Sequence, residues 1–322
     1  DLYEERMELT TQVADYKIST GKQVFDAERE ISKLNSVAEM AHSDFTSHGA
    51  SEVFEHIMAM SRKKQYQLLT EYGKYAPTGF AEVKELDFSH AAAACIEASE
   101  AAARQYFSGD GSVSFAPVDV TSDSGKTGEG DQSSVMNQMV GETQVNVINQ
   151  TDNTDVPSLN SSGICGLLLC KSWREACETL KREEVNYLFL PVQDPESGYV
   201  SANYNLVAEY GFFILEEYHT SPEPKDRYIL ISRDKLTLSG ADKISICFEA
   251  PDICGSLYHL MSHLTYNNLN MNRIESIVIS RDPLDYRFFM DLSGNLNDSA
   301  IKNAVLGMSG EARNFKILGN YR

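Results

Sequence analysis

ERMELTTQVADYKISTGKQVFDAERE, residues 5–30, places charged side chains at helical spacing on two successive segments. Arg6 and Lys17 are 11 residues apart, about three turns at 3.6 residues each, so both point off one side of a single helix. They stand roughly 16 Å apart along its axis, and two long cationic side chains leaning inward can enclose a small dianion. Gly21 breaks this helix, and Asp26, Arg29 and Glu30 follow at i, i+3 and i+4, again on one face. Ser61 and Gln65 share a face at i, i+4 on a later helix. Together they describe a pocket for a polyhydroxylated or ether-bearing dicarboxylate. The same residue types at helical spacing also make an ordinary solvated face, so composition alone does not choose between the two.

Charge narrows the choice of ligand. The 322 residues carry a formal net charge of −19, which argues against nucleic acid and anionic membrane surfaces as partners. An anionic ligand must then be held by local cations, as the opening stretch provides. No apolar run approaches membrane-spanning length and no signal pattern opens the chain, so a cytoplasmic protein is expected. The chain begins at Asp1 already inside a helical pattern, and residues upstream of it are expected. Cys95, Cys165, Cys170, Cys177, Cys247 and Cys254 form no C-x-x-C pair and sit at no zinc spacing, which predicts buried free thiols. His259 and His263 lie at i, i+4 without a nearby carboxylate or thiol in sequence, so neither a metal nor a cofactor is expected.

Three regions follow from the patterning. Residues 1 to about 73 read as helical, with a third helix from Ser51 to about Tyr72. A bundle this small with an exposed apolar stripe needs a partner, so a homodimer or larger homo-oligomer is expected. Residues 77–84 read as a linker, and the alanine-rich 89–107 as a helix. Residues 119–162 are polar and read as loop; their GKTGEG at Gly125–Gly130 fails the phosphate-loop pattern because position 120 is Val120. From Gly163 strands and helices alternate as in an α/β layer. Residues 242–322 run strand, helix, strand, strand, helix, strand, the ferredoxin-like order.

The run E-R-M-E-L…V…Y-K…G-K-x-V-x-D-x-x-R-E resembles the all-helical chorismate mutases, and the whole chain resembles the bifunctional chorismate mutase–prephenate dehydratases of phenylalanine synthesis. The resemblance implies a multidomain α plus α/β fold. Its parts would be a helical mutase bundle over 1–76, an eroded dehydratase-like α/β domain over 85–235 and a ferredoxin-like ACT regulatory domain over 240–322. It implies chorismate and prephenate as ligands, and no nucleic acid or membrane. Lys17 and Gln65 would donate to the ether oxygen, Arg6 and Arg29 clamp the carboxylates with help from Ser61, and Asp26 and Glu30 lie near the ring hydroxyl. A further family arginine, given to the partner subunit's pocket, would lie before Asp1.

Two motifs depart from the family. Its dehydratase triplet Thr-Arg-Phe is matched by Asp226, Arg227 and Tyr228, and its Glu-Asn-Ser signature by Gln193, Asp194 and Pro195. A carboxylate in place of the catalytic hydroxyl would repel the substrate carboxylates, so a dehydratase domain that no longer dehydrates is expected. The resemblance implies phenylalanine as an effector at positions matched by Gly255, Ser256, Leu257, Glu275 and Ser276, but the family's arginine and proline after the last two are replaced by Ile277 and Val278. The readings left open are a mutase with a decayed dehydratase, a working bifunctional enzyme, and a non-catalytic amino-acid-sensing protein.

Overall fold

In the computed structural model the chain divides into two compact units, residues 1–79 with 242–317, and residues 80–241 with 318–322. The structure describes residues 1–74, 79–88, 91–108, 138–140, 143–145, 166–194, 198–199, 201–220, 226–250, 254–281 and 284–322. Most of the polar stretch 119–162, the GKTGEG segment, Cys165 and Pro195 lie outside them.

Helix α1 (Leu2–Thr20) ends at Gly21, which takes the left-handed conformation (φ 68°) that only glycine adopts without cost. Helix α2 (Ala27–Glu39) starts at the Asp26 cap. Helix α3 (Asp44–Glu71) begins earlier than the predicted Ser51. Ser43 and Thr46 form a reciprocal capping box that starts it at residue 44, and Gly49 is carried inside the first turns without breaking them.

The middle unit holds β1 (Ala81–Val83), β2 (Ala92–Ile96), α4 (Glu100–Ser108), β3 (Gln138–Val140), β4 (Thr143–Val145), β5 (Gly166–Cys170) and α5 (Trp173–Lys181). There follow β6 (Tyr187–Asp194), β7 (Gly198–Tyr199), α6 (Ser201–Tyr210), β8 (Phe213–Tyr218), β9 (Arg227–Ser232) and β10 (Leu236–Leu238). The alanine run corrects the prediction. Residues 92–96 are a strand lying parallel to both β5 and β6, and only from Glu100 does the segment become the expected helix. Alanine is the best intrinsic helix former, but Ala93, Ala94 and Cys95 are fully buried in the interior of a sheet. Burial on both faces outweighs a few tenths of a kcal/mol per residue of propensity. Strands follow the order β8-β9-β6-β2-β5, and Phe107 and Phe189 are core residues here, with Tyr228 stacked on Phe189 at 5.1 Å between ring centres.

The C-terminal segment runs β11 (Lys243–Glu249), α7 (Ser256–Tyr266), β12 (Met271–Arg281), β13 (Leu284–Ser293), α8 (Ser299–Glu311) and β14 (Arg313–Tyr321), with strand order β12-β13-β11-β14. This is the β-α-β-β-α-β arrangement read from the sequence. Three successive domains were expected, yet the helical segment and this one form a single compact unit, and the last five residues join the middle unit. The cause is the packing of α3 on α7 and α8, where Arg62 of α3 pairs with Glu311 at 2.8 Å and Tyr66 meets His263 edge-on. Among the described residues no helix is long and apolar enough to cross a membrane. Cys95, Cys170, Cys177 and Cys247 are buried free thiols, whereas Cys254 is exposed, against expectation.

Gly307 permits this packing, since a Cβ there would run into the His263 imidazole. Gly307→Ala gains up to about 1 kcal/mol of helix propensity but loses about 1–3 kcal/mol to overpacking against a buried ring. A lower melting temperature by calorimetry is expected; a higher one would contradict the contact.

Candidate active site

A hollow of about 340 Å³ opens between α1, α2 and α3, within the range of small-molecule sites. Its floor is α3, whose Ser61 and Gln65 are buried. Lys17 from α1 and Glu30 from α2 form half-buried walls, and Arg6, Asp26 and Arg29 stand exposed at the rim. All seven residues singled out at helical spacing therefore line one cavity. Val24, Val37 and Met58 add apolar surface.

The polar groups hold one another in place. Ser61 Oγ donates to the Ile57 carbonyl at 2.9 Å and accepts from Arg6 Nε at 3.1 Å, so a buried hydroxyl orients a rim arginine. Lys17 Nζ donates to the Val24 carbonyl at 2.7 Å, which leaves two of its three N–H bonds for a ligand. Gln65 Nε2 donates to the Ser61 carbonyl at 3.2 Å. Its second N–H remains, and its Oε1 is buried with no hydrogen-bond partner among the described residues. Asp26 accepts from the Arg29 backbone N–H at 3.1 Å as the cap of α2, a structural duty beyond the ligand role the resemblance implied.

Burial, reinforced by the nearby Arg29 charge, lowers the Lys17 pKa below its ordinary 10.5, against the opposing pull of Asp26 and Glu30. Five cationic side chains, Arg6, Lys17, Arg29, Lys33 and Arg62, and two carboxylates, Asp26 and Glu30, line the hollow. Sequence reasoning missed Lys33 and Arg62, which also line the hollow. Arg62 is adjacent to Ser61, but its partners Glu30 and Glu311 lie 32 and 249 residues away on other helices, where spacing within one helix carries no signal.

The other predicted residues are placed differently. Arg227 on β9 is buried, with Nη2 donating to Glu217 at 2.6 Å and to the Tyr321 hydroxyl at 3.3 Å. Asp226 accepts from the Thr220 hydroxyl, and its carbonyl lies 3.0 Å from His219 Nδ1. Gly255, Ser256 and Leu257 open α7, whereas Glu275 and Ser276 sit on the edge strand β12, two places from β11 in the sheet, with Glu275 ion-paired to Arg273 at 3.2 Å. His259 and His263 do have carboxylates beside them, from elements remote in sequence: Glu55 at 2.9 Å and Glu311 at 3.0 Å. Among the described residues no group of three or more ligating side chains could hold a metal.

Comparison with known proteins agrees with the helical reading. Residues 1–66 match the model of the chorismate mutase type II family. The N-terminal region is a type II chorismate mutase domain. The chain is 25% identical over 342 positions to a bifunctional chorismate mutase/prephenate dehydratase of Stutzerimonas stutzeri, covering 100% of this chain and 93% of that one. It is 26% identical to the protein of the same name from Aquifex aeolicus, over 48% of this chain and 44% of that one. Against the Neisseria gonorrhoeae protein of that name the match spans only 31% of its length. A prephenate dehydratase structure from Streptococcus mutans is 21% identical over 48% of this chain and 85% of its own, with a TM-score of 0.43.

The lowered pKa of Lys17 in the mutase domain gives a test. A folded value below the unfolded one means that protonation opposes folding. The penalty is complete below the folded pKa and disappears as pH rises from there to 10.5. NMR titration of the Lys17 ε-methylene should find the midpoint below 10.5 in the free protein and moving upward when a dicarboxylate enters the hollow. A midpoint at or above 10.5 without ligand would contradict the burial.

Proposed function

We propose that the hollow converts chorismate to prephenate. The carrying observation is that Arg6, Lys17, Asp26, Arg29, Glu30, Ser61 and Gln65 line one 340 Å³ cavity in a domain of the mutase family. The reaction is a [3,3] rearrangement that needs neither a nucleophile nor a cofactor. It needs the reactive chair held and the charge that develops on the ether oxygen stabilised as the C–O bond breaks.

Arg6, steadied by Ser61, and Arg29 bind the two carboxylates. Lys17 offers its two remaining N–H bonds, and Gln65 its second, to the ether oxygen. Lys17 is already fixed through Val24, so little reorganisation accompanies the reaction. Glu30 accepts from the ring hydroxyl. A homodimer suits the exposure of Leu2, Leu9, Val13 and Tyr16 along α1.

The dehydratase reaction is absent in this proposal. Asp226 stands where the family hydroxyl would be, and Arg227 is already neutralised by Glu217. One observation favours the alternative of a working dehydratase: the Thr220 hydroxyl donates to Asp226, the residue before Arg227, and so supplies an O–H at that position. Incubation with chorismate separates the readings, because prephenate alone supports the mutase, phenylpyruvate supports the bifunctional enzyme, and neither product leaves a non-catalytic protein. Lys17→Ala should lower kcat/KM by about 10²–10³-fold, the loss of one donor to a developing oxyanion. An unchanged rate would remove Lys17 from this role.

A further inference from the structure

No role in the rearrangement falls to Arg62, although it lines the hollow. It is 5% exposed and its guanidinium is divided between two carboxylates. Nε and Nη2 donate to Glu311 Oε1 and Oε2 at 2.8 and 3.3 Å, a fork on the last residue of α8, and Nη1 donates to Glu30 on α2. Phe25 lies beneath the guanidinium, 5.1 Å from its carbon. Glu311 is anchored in turn by His263 Nε2 at 3.0 Å. Burial would raise the Glu311 pKa, but the hydrogen bond from His263 and the Arg62 charge hold it below the usual carboxylate range. Glu311 therefore remains a charged partner for Arg62.

Glu30 itself has little else to fix it. Helix α2 buries none of its residues, and Glu30 is the carboxylate that the proposed mechanism aims at the substrate hydroxyl. A carboxylate on such a helix sweeps several rotamers unless something holds it. Arg62 holds it through Nη1 alone while Nε and Nη2 stay forked on Glu311, so the guanidinium plane is fixed by Glu311 and the contact to Glu30 is single. Glu30 and Arg62 also face a second cavity of about 150 Å³, bounded by Ile31 and Leu34 of α2 and by Leu260 and Glu311 of the C-terminal segment. The ion pair is thus a wall with the reaction on one side and the C-terminal segment on the other.

We infer that Arg62, held by Glu311, is a positioning residue that aims the Glu30 carboxylate into the chorismate hollow, so that the C-terminal segment sets the geometry of the mutase site. This rests on the mutase reading. Without Glu311, the guanidinium turns its fork on Glu30 and withdraws it from the substrate.

The test is a double-mutant cycle in the full chain with chorismate as substrate. Glu311→Gln should lower kcat/KM about tenfold, chiefly through KM because the hydroxyl contact is made in ground and transition states alike. In a Glu30→Gln background the same change should cost less than about twofold, since its route of action is gone. A purely structural role for Glu311 would cost as much in either background, and additive losses, or no loss from Glu311→Gln alone, overturn the inference while leaving the mutase reading intact. Should Glu311→Gln fail to fold, Arg62→Lys replaces it in the cycle. A lysine holds one carboxylate but cannot fork two, so it should reproduce the loss and likewise fall silent beside Glu30→Gln, and additivity there overturns the inference. Absence of turnover by the unaltered chain overturns both.

Discussion

A guanidinium buried between carboxylates 32 and 249 residues away in sequence organises the first unit. An ionised group removed from water costs several kcal/mol unless its partners come with it, and stripping one partner from a buried pair costs about 3–5 kcal/mol. Arg62 on α3 therefore requires residue 311 to return from the far end of the chain. That demand brings α8 against α3 and explains neighbouring details that propensity does not. Gly307 and Gly310 sit where a Cβ would strike His263 and Tyr66. A helix that carries two glycines in consecutive turns loses about 2 kcal/mol of propensity, which the close approach of the helices and the ion cluster must offset.

The same economy decides where positive charge remains available. Both carboxylates of the hollow are engaged by the protein itself: Asp26 caps α2 and Glu30 meets Arg62. Lys17 is tied to a backbone carbonyl, and Arg6 to a hydroxyl, neither of which cancels charge. The cations lining the hollow outnumber its carboxylates even though the chain as a whole carries −19. Preorganised donors of this kind need no rearrangement when charge develops on a ligand, and this is where their contribution to a transition state comes from.

Much of this was legible in residues 5–65, because helical periodicity makes spacing a direct statement about faces. Counting places Arg6 with Lys17, Asp26 with Arg29 and Glu30, and Ser61 with Gln65 on shared faces and marks the Gly21 break, whereas joining the three sets in one pocket came from the resemblance. The capping box at Ser43 and Thr46 was equally readable, and α3 starts there rather than at Ser51 because a satisfied N-terminus outweighs one glycine at position 49. What counting could not reach depends on distant partners. The alanines of 92–96 become a strand only because β5 and β6 flank them. Arg62 gains its function from Glu311, and the union of the helical and C-terminal segments in one unit follows from that contact, not from chain order.

Arg227 in the middle unit shows the opposite disposition. Its guanidinium is buried against Glu217, with both side chains below a tenth exposed and 2.6 Å apart, and the Tyr321 hydroxyl sits beside it. A substrate carboxylate would have to displace Glu217 from a pair whose disruption leaves an uncompensated buried charge. An arginine recruits a dicarboxylate when the protein leaves it a charge to satisfy; one already satisfied by its own chain serves the fold. Arg29 lines the helical hollow, whereas Arg227 is committed to Glu217.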